Sequence, residues 1–218
     1  MTASTDTSAQ LGPAEIAAAV NVSRASLYRL LAAEGGIRAV LLKRRLDEAL
    51  GPDERSALAR AMADRVVDAA APLPVAVVCD DGAVAAWARQ RGALVVWEPG
   101  RGLNGAVEAG VAHLRHAGVD RVVVSHADLP RAADLASVDR GAGVTLVPDR
   151  WGNGTNVMAL PTGAGFRFSY GPGSFARHQA EAERLGFVPE ILDRPDLAWD
   201  VDLPEDVVPV AARPGVER

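Results

Sequence analysis

Three aspartates occupy positions from which they could bind a metal ion. Asp128 follows an apolar run in the segment VVVSHADLP, and Asp200 and Asp202 alternate in AWDVDLPED, so both project to one face of an extended chain. Three clustered carboxylates repel one another unless a divalent cation neutralises them, and Mg²⁺ prefers oxygen ligands of this kind. The pattern is compatible with a Mg²⁺ site at Asp128, Asp200 and Asp202, but the spacing alone does not favour that site over its alternative. The alternative is three solvated loop acids, because Asp-Leu-Pro is common in ordinary turns.

A second group of residues has the chemistry of a phosphate site. Glycines that permit close backbone approach stand beside two hydroxyls, and the members are Gly152, Gly154, Thr155, Gly171, Gly173 and Ser174. Ser174 lies at a predicted helix start, where free amides and the helix dipole attract phosphate. The alternative is a pair of simple glycine turns between strands.

The elements that would position these residues alternate between strand and helix. Predicted strands cover 37–42, 74–80, 93–99, 143–149 and 155–161, with a further strand inside 120–130, and predicted helices cover 53–71, 82–92, 104–118 and about 174–185. Because each strand is almost wholly apolar, the sequence predicts an α/β fold with a mainly parallel sheet covered by helices on both faces. Ligands of such sheets bind outside the carboxyl ends of the strands, where Asp128 falls.

Length and composition limit the class of protein. The chain has 218 residues, 49% of them hydrophobic and 23% charged, which predicts one folded domain with an appendage. A single cysteine, Cys79, excludes an internal disulfide, and no apolar run is long enough to cross a bilayer. The first residues lack the features of a signal peptide, so we expect a cytoplasmic protein that does not bind membranes. The net charge of −5 argues against extensive nucleic-acid binding.

The amino-terminal residues 1–36 differ from the rest of the chain. Residues 1–10 are small and polar and predict a disordered lead, whereas 11–36 show two short helices in a helix-turn-helix pattern. Residues 37–210 form the predicted α/β domain, and 211–218 form a tail. The segment 11–36 carries no net charge, and few of its residues could contact DNA phosphates. One functional hypothesis is nevertheless that the protein is a DNA-binding regulator with a ligand-sensing domain.

Four motifs in a fixed order resemble a known family. They are VVVSHADLP, DRWGNGTNVMAL, YGPGSFARH and WDVDLPED. Together they resemble the guanylyltransferases that activate phosphoenolpyruvate or 2-phospho-L-lactate in the biosynthesis of coenzyme F-420. The resemblance spans about residues 37–207 and implies a single Rossmann-like nucleotidyltransferase domain that binds Mg²⁺.

The resemblance also implies roles for individual residues. Asp128, Asp200 and Asp202 are similar to the family's catalytic metal ligands, Thr155, Gly171 and Ser174 to its contacts with the phospho-acid acceptor, and Lys43 and Asn104 to its nucleotide contacts. The implied reaction transfers GMP from GTP to the acceptor and releases pyrophosphate. A phosphate dianion is already nucleophilic at neutral pH, so neither His126 nor His178 is assigned a catalytic role.

One segment departs from the family pattern. The family's first strand leads into a long loop of the form P-V-K, several residues, then A-K-x-R-L, whereas here the strand 37–42 runs directly into Lys43. Fewer backbone amides are then available to hold phosphates, which predicts weaker GTP binding. A degraded homologue without activity is therefore a further alternative.

Overall fold

The computed structural model describes residues 52–141 and 143–201, with backbone alone for 52–55. Several predicted features lie outside these residues. They are the segment 1–36, the strand 37–42, Lys43, Asp202 and the tail 211–218.

The described residues contain five α-helices and six strands. The helices are α1 (Pro52–Ala69), α2 (Gly82–Gln90), α3 (Gly102–His116), α4 (Ser174–Arg184) and α5 (Pro195–Ala198), and the strands are β1 (Ala76–Cys79), β2 (Leu94–Trp97), β3 (Arg121–Ser125), β4 (Thr145–Pro148), β5 (Thr155–Pro161) and β6 (Glu190–Ile191). Two short 3-10 helices cover Leu135–Val138 and Thr162–Ala164. The alternation of strand and helix confirms the predicted α/β class.

Parallel pairing is found in the first part of the chain. Strand β1 pairs with β2 in parallel, and helix α2 connects the two strands. Asp81 accepts a hydrogen bond from the amide of Val84 and so caps the start of α2. The indole of Trp87 is buried and donates to Asp64 of α1 at 2.9 Å, which joins the two helices.

The second sheet has the order β3-β5-β4-β6 and mixed strand directions. Strand β5 is antiparallel to both β3 and β4, whereas β4 and β6 are parallel. The antiparallel strand differs from the mainly parallel arrangement that the apolar runs predict. Its cause is the short connection 149–154 between β4 and β5, which is long enough for a hairpin but not for the helical crossover of parallel neighbours.

The interior contains two large apolar clusters. One includes Val66, Trp87 and Leu129, and the other includes Met158, Leu160 and Phe168. A largely apolar cavity of about 230 Å³ lies between the amino ends of β1 and β3. Among the described helices, none combines the length and apolar character needed to cross a membrane.

Candidate active site

Asp128 and Asp200 lie on neighbouring segments at one edge of the second sheet. Asp128 follows β3, and its backbone carbonyl accepts a hydrogen bond from the amide of Val201 at 3.2 Å. Both aspartates are buried, with 4% and 3% of their surfaces exposed. The structure therefore joins the segments that carry two of the three predicted metal ligands, and Asp202 lies outside the described residues.

Two arginines and one aromatic ring support the segment that carries Asp200. The amide of Arg150 donates to the carbonyl of Ala198 at 2.9 Å, and its Nη1 donates to the carbonyl of Asp200 at 3.1 Å. Its guanidinium carbon lies 4.3 Å from the ring centre of Trp199, and that of Arg131 lies 4.1 Å from the same centre. These cation–π contacts fix the backbone that presents Asp200.

The glycine-rich loop between β4 and β5 is built around Asp149. Its Oδ1 accepts hydrogen bonds from the amides of Trp151 and Asn153, and its Oδ2 accepts one from the amide of Gly154. This buried carboxylate thus organises the turn that leads to Thr155. Sequence reasoning missed Asp149, although an aspartate before Gly and Asn residues is typical of such a turn.

Asn153 connects this loop to the start of α4. Its Oδ1 accepts the amide proton of Gly173, and its backbone carbonyl accepts that of Phe175. Gly173 has a φ of 74°, a conformation that favours glycine, and a Cβ there would lie 3.3 Å from a guanidinium nitrogen of Arg177. The glycine therefore lets the chain turn tightly into α4.

The three predicted acceptor contacts come together at this junction. Ser174 Oγ accepts a hydrogen bond from the amide of Thr155 at 3.1 Å, and the amide of Ser174 donates to the carbonyl of Gly171 at 2.8 Å. Thr155, Gly171 and Ser174 are all buried. Their predicted contact with a ligand remains a prediction, but their proximity to one another is a property of the fold.

The ring of His178 contacts the side chain of Thr155. Its Nδ1 lies 3.0 Å from Thr155 Oγ1, and its Nε2 accepts the amide proton of Ser169 at 3.0 Å. Burial of the ring, together with the charge of Arg177, lowers the pKa of His178 to about 3. Sequence reasoning assigned it no catalytic role, although its position four residues after Ser174 places both side chains on one face of α4.

Asn104 lies in the first turn of α3 and contacts the loop before α4. Its Oδ1 accepts a hydrogen bond from the amide of Tyr170 at 2.8 Å. The residue expected to contact the nucleotide therefore also holds the backbone next to Gly171. The nucleotide contact itself remains a prediction, as does that of Lys43, which lies outside the described residues.

The acceptor residues and the acidic pair share one edge of the sheet. The amide of His126 donates to the carbonyl of Asn156, the neighbour of Thr155, at 2.8 Å, and His126 Nδ1 lies 3.7 Å from Asp128 Oδ1. The described residues alone contain no group of three or more acidic, histidine or cysteine side chains placed to hold a metal ion. What they do contain is two buried aspartates and two buried hydroxyl residues on segments that are joined by backbone hydrogen bonds.

The fold is shared with a solved structure. A crystal structure of a candidate nucleotide-diphospho-sugar transferase from Desulfovibrio desulfuricans G20 superposes with a TM-score of 0.56, covering 73% of this chain and 74% of that one at 16% identity. This likeness establishes the α/β fold of that transferase for the present chain.

The particular family is defined by sequence. Residues 37–212 match the family model described as guanylyl transferase CofC like. The chain belongs to this family, as its four motifs predicted.

Curated relatives agree with this assignment. A phosphoenolpyruvate guanylyltransferase from Rubrobacter xylanophilus is 37% identical over 80% of this chain and 90% of its own length. A 2-phospho-L-lactate guanylyltransferase from Halorubrum lacusprofundi is 34% identical over 76% of each chain. These relatives support the guanylyltransferase hypothesis, and none of them favours a DNA-binding regulator.

Proposed function

We propose that this protein transfers GMP from GTP to phosphoenolpyruvate or 2-phospho-L-lactate. An oxygen of the acceptor's phosphate forms a bond to the α-phosphorus of GTP, and the bond from that phosphorus to the pyrophosphate oxygen breaks. Pyrophosphate leaves with the electron pair of the broken bond. The relatives named for these two acceptors support this choice of substrates.

The main structural support for this proposal is the proximity of Thr155 and Ser174 at the start of α4. Two hydroxyls beside the amino end of an eleven-residue helix form a favourable environment for an anion. In this proposal they hold the acceptor together with the backbone at Gly171. We propose that the reacting phosphates of both substrates meet beside Asp128 and Asp200.

The acidic pair fits a Mg²⁺ ion. Asp128 and Asp200 are buried carboxylates on segments joined by the hydrogen bond from the amide of Val201 to the carbonyl of Asp128, and their oxygens are hard ligands of the kind that Mg²⁺ takes. We propose that Asp128, Asp200 and Asp202 hold this ion. When bound, the ion would neutralise charge on the phosphates, whose mutual repulsion otherwise opposes their approach.

The nucleotide is held on the opposite side of the acceptor in this proposal. Asn104 is placed for such a role because it lies in the first turn of α3 and contacts the acceptor loop through Tyr170. Lys43 would supply a positive charge for the phosphates of GTP. We propose guanine as the base because the relatives are named as guanylyltransferases.

Release of pyrophosphate tests the proposal. The full chain is incubated with GTP and Mg²⁺ and with phosphoenolpyruvate, 2-phospho-L-lactate or no acceptor. We expect acceptor-dependent pyrophosphate and a dinucleotide-like product that contains GMP and the phospho-acid. Asp128→Asn should reduce kcat at least a hundredfold, on the order of what one lost electrostatic contact costs. Asp120→Asn serves as the matched control, because Asp120 is exposed and precedes the first residue of β3, whereas Asp128 follows the last.

Two results would refute the proposal. One is the absence of pyrophosphate release with either acceptor from a folded chain. The other is an Asp128→Asn variant as active as the Asp120→Asn control.

A further inference from the structure

The buried ring of His178 has a defined tautomer. The backbone amide of Ser169 can only donate, so Nε2, which lies 3.0 Å away, must present its lone pair. The proton of the neutral ring is then on Nδ1, and Nδ1 donates to Thr155 Oγ1 at 3.0 Å. The hydrogen-bond pattern itself therefore decides which nitrogen carries the proton.

The packing around His178 holds the ring in this orientation. The side chain is fully buried, and its ring centre lies 4.8 Å from that of Tyr170 and 5.8 Å from that of Phe166. The Tyr170 ring meets it edge-on, with an interplanar angle of 73°. Such a ring cannot flip freely, so Nδ1 stays directed at Thr155.

The hydrogen bond from His178 restricts the directions in which the hydroxyl of Thr155 can donate its proton. A hydroxyl has one proton and two lone pairs, and here one lone pair is taken by Nδ1–H. One lone pair of the Ser174 hydroxyl is also taken, because this hydroxyl accepts the amide proton of Thr155. Within the part of the chain that the structure describes, neither hydroxyl donates a hydrogen bond in return. Both protons are thus left for an acceptor outside the described residues.

We propose that His178 is a positioning residue that turns the hydroxyl proton of Thr155 toward the anionic phospho-acid. The inference rests on the proposed function for the identity of the ligand. His178 does not touch the substrate and transfers no proton. Because His178 Nδ1–H donates to Thr155 Oγ1, the hydroxyl of Thr155 directs its own proton elsewhere. The hydroxyl can then donate a hydrogen bond to the anionic phospho-acid.

Steady-state kinetics with paired variants test this role. His178→Leu removes the donor, whereas His178→Asn places an amide N–H close to the position of Nδ1. We expect His178→Leu to raise the KM for the acceptor roughly tenfold, the value of one hydrogen bond to a charged group. The KM for GTP should change less than twofold, and His178→Asn should recover most of the loss. His113→Asn, at an exposed position on α3, is the matched control.

A double-mutant cycle separates positioning from general structural damage. In a Thr155→Val background there is no hydroxyl to orient, so His178→Leu should have little additional effect on the acceptor KM. Independent structural damage would instead multiply the two effects, and that result would overturn the proposal. Equal acceptor KM values for the wild type and His178→Leu would do the same.

The tautomer can be measured without any turnover. ¹⁵N-detected NMR of the wild-type chain should show His178 protonated at Nδ1 and not at Nε2 between pH 6 and 8. Protonation at Nε2 would contradict the proposal even in an active enzyme. If the wild type releases no pyrophosphate but the Nδ1 proton is found, the proposed function fails while the orientation of His178 stands.

Discussion

The side-chain oxygen of Asn104 lies 2.8 Å from the backbone nitrogen of Tyr170 and accepts its proton. The two residues are 66 positions apart in the sequence, and this bond joins helix α3 to the loop that precedes α4. The predicted nucleotide side and the predicted acceptor side of the site are therefore connected by one hydrogen bond. A substitution at Asn104 should therefore affect the binding of both GTP and the acceptor.

Replacing Asn104 tests this connection. Asn104→Leu leaves the amide of Tyr170 without its acceptor, which costs about 1–3 kcal/mol for a buried group. We expect the KM values for both GTP and the acceptor to rise, because the loop at Gly171 loses its support. Asn104→Asp keeps an acceptor oxygen and should retain acceptor affinity. An effect of Asn104→Leu on GTP alone would show that the bond to Tyr170 does not support the acceptor loop.

Trp199 should influence the Mg²⁺ requirement. Its ring contacts the guanidinium groups of Arg131 and Arg150, and Arg150 also holds the carbonyl of Asp200. Trp199→Leu removes two cation–π contacts worth about 0.5–1 kcal/mol each. The Mg²⁺ concentration for half-maximal pyrophosphate release should therefore rise several-fold. Trp97→Leu is the control, since Trp97 is half exposed on β2, and a Mg²⁺ dependence identical in both variants would exclude the effect.

Asp149 should matter for stability more than most acidic residues. Asp149→Asn retains one oxygen, so the amides of Trp151, Asn153 and Gly154 can no longer all be satisfied. Loss of one charge-assisted bond should lower the free energy of unfolding by about 1.5–3 kcal/mol. Urea denaturation measures this loss. Asp120→Asn should stay within about 0.5 kcal/mol of the wild type, as expected for an exposed site, and equal losses in both variants would contradict the prediction.

The buried ring of His178 predicts a pH dependence of stability. Its pKa is about 3 in the folded chain against an ordinary value of 6.5, because burial disfavours the charged ring. Between these values the unfolded chain binds a proton that the folded chain does not, so stability falls as the pH drops from 6.5 toward 3. The contribution of this residue has a slope of about 1.4 kcal/mol per pH unit.

Denaturation at several pH values measures that slope. His178→Asn has no titrating ring at this position, so its free energy of unfolding should decline less steeply below pH 6.5 than that of the wild type. His113→Asn should keep the wild-type slope. Parallel curves for the wild type and His178→Asn would contradict a buried, neutral histidine.

Local sequence patterns predicted the individual elements closely. The strand predicted at 155–161 is β5 with the same bounds, and the helix predicted near 174–185 is α4 at Ser174–Arg184. Apolar runs and glycine stops act over a few residues, so they are visible without tertiary information. The position of Asp128 after a buried strand was likewise a local signal.

The pairing of distant residues was decided by the tertiary structure. The sequence determined which residues form strands and helices, and its motif order identified the family. It did not determine that β5 would lie antiparallel between β3 and β4, that Asn104 would hold Tyr170, or that His178 would stand behind Thr155. These relationships depend on how whole elements pack against one another, and the free energy of that packing is shared among many residues far apart in the chain.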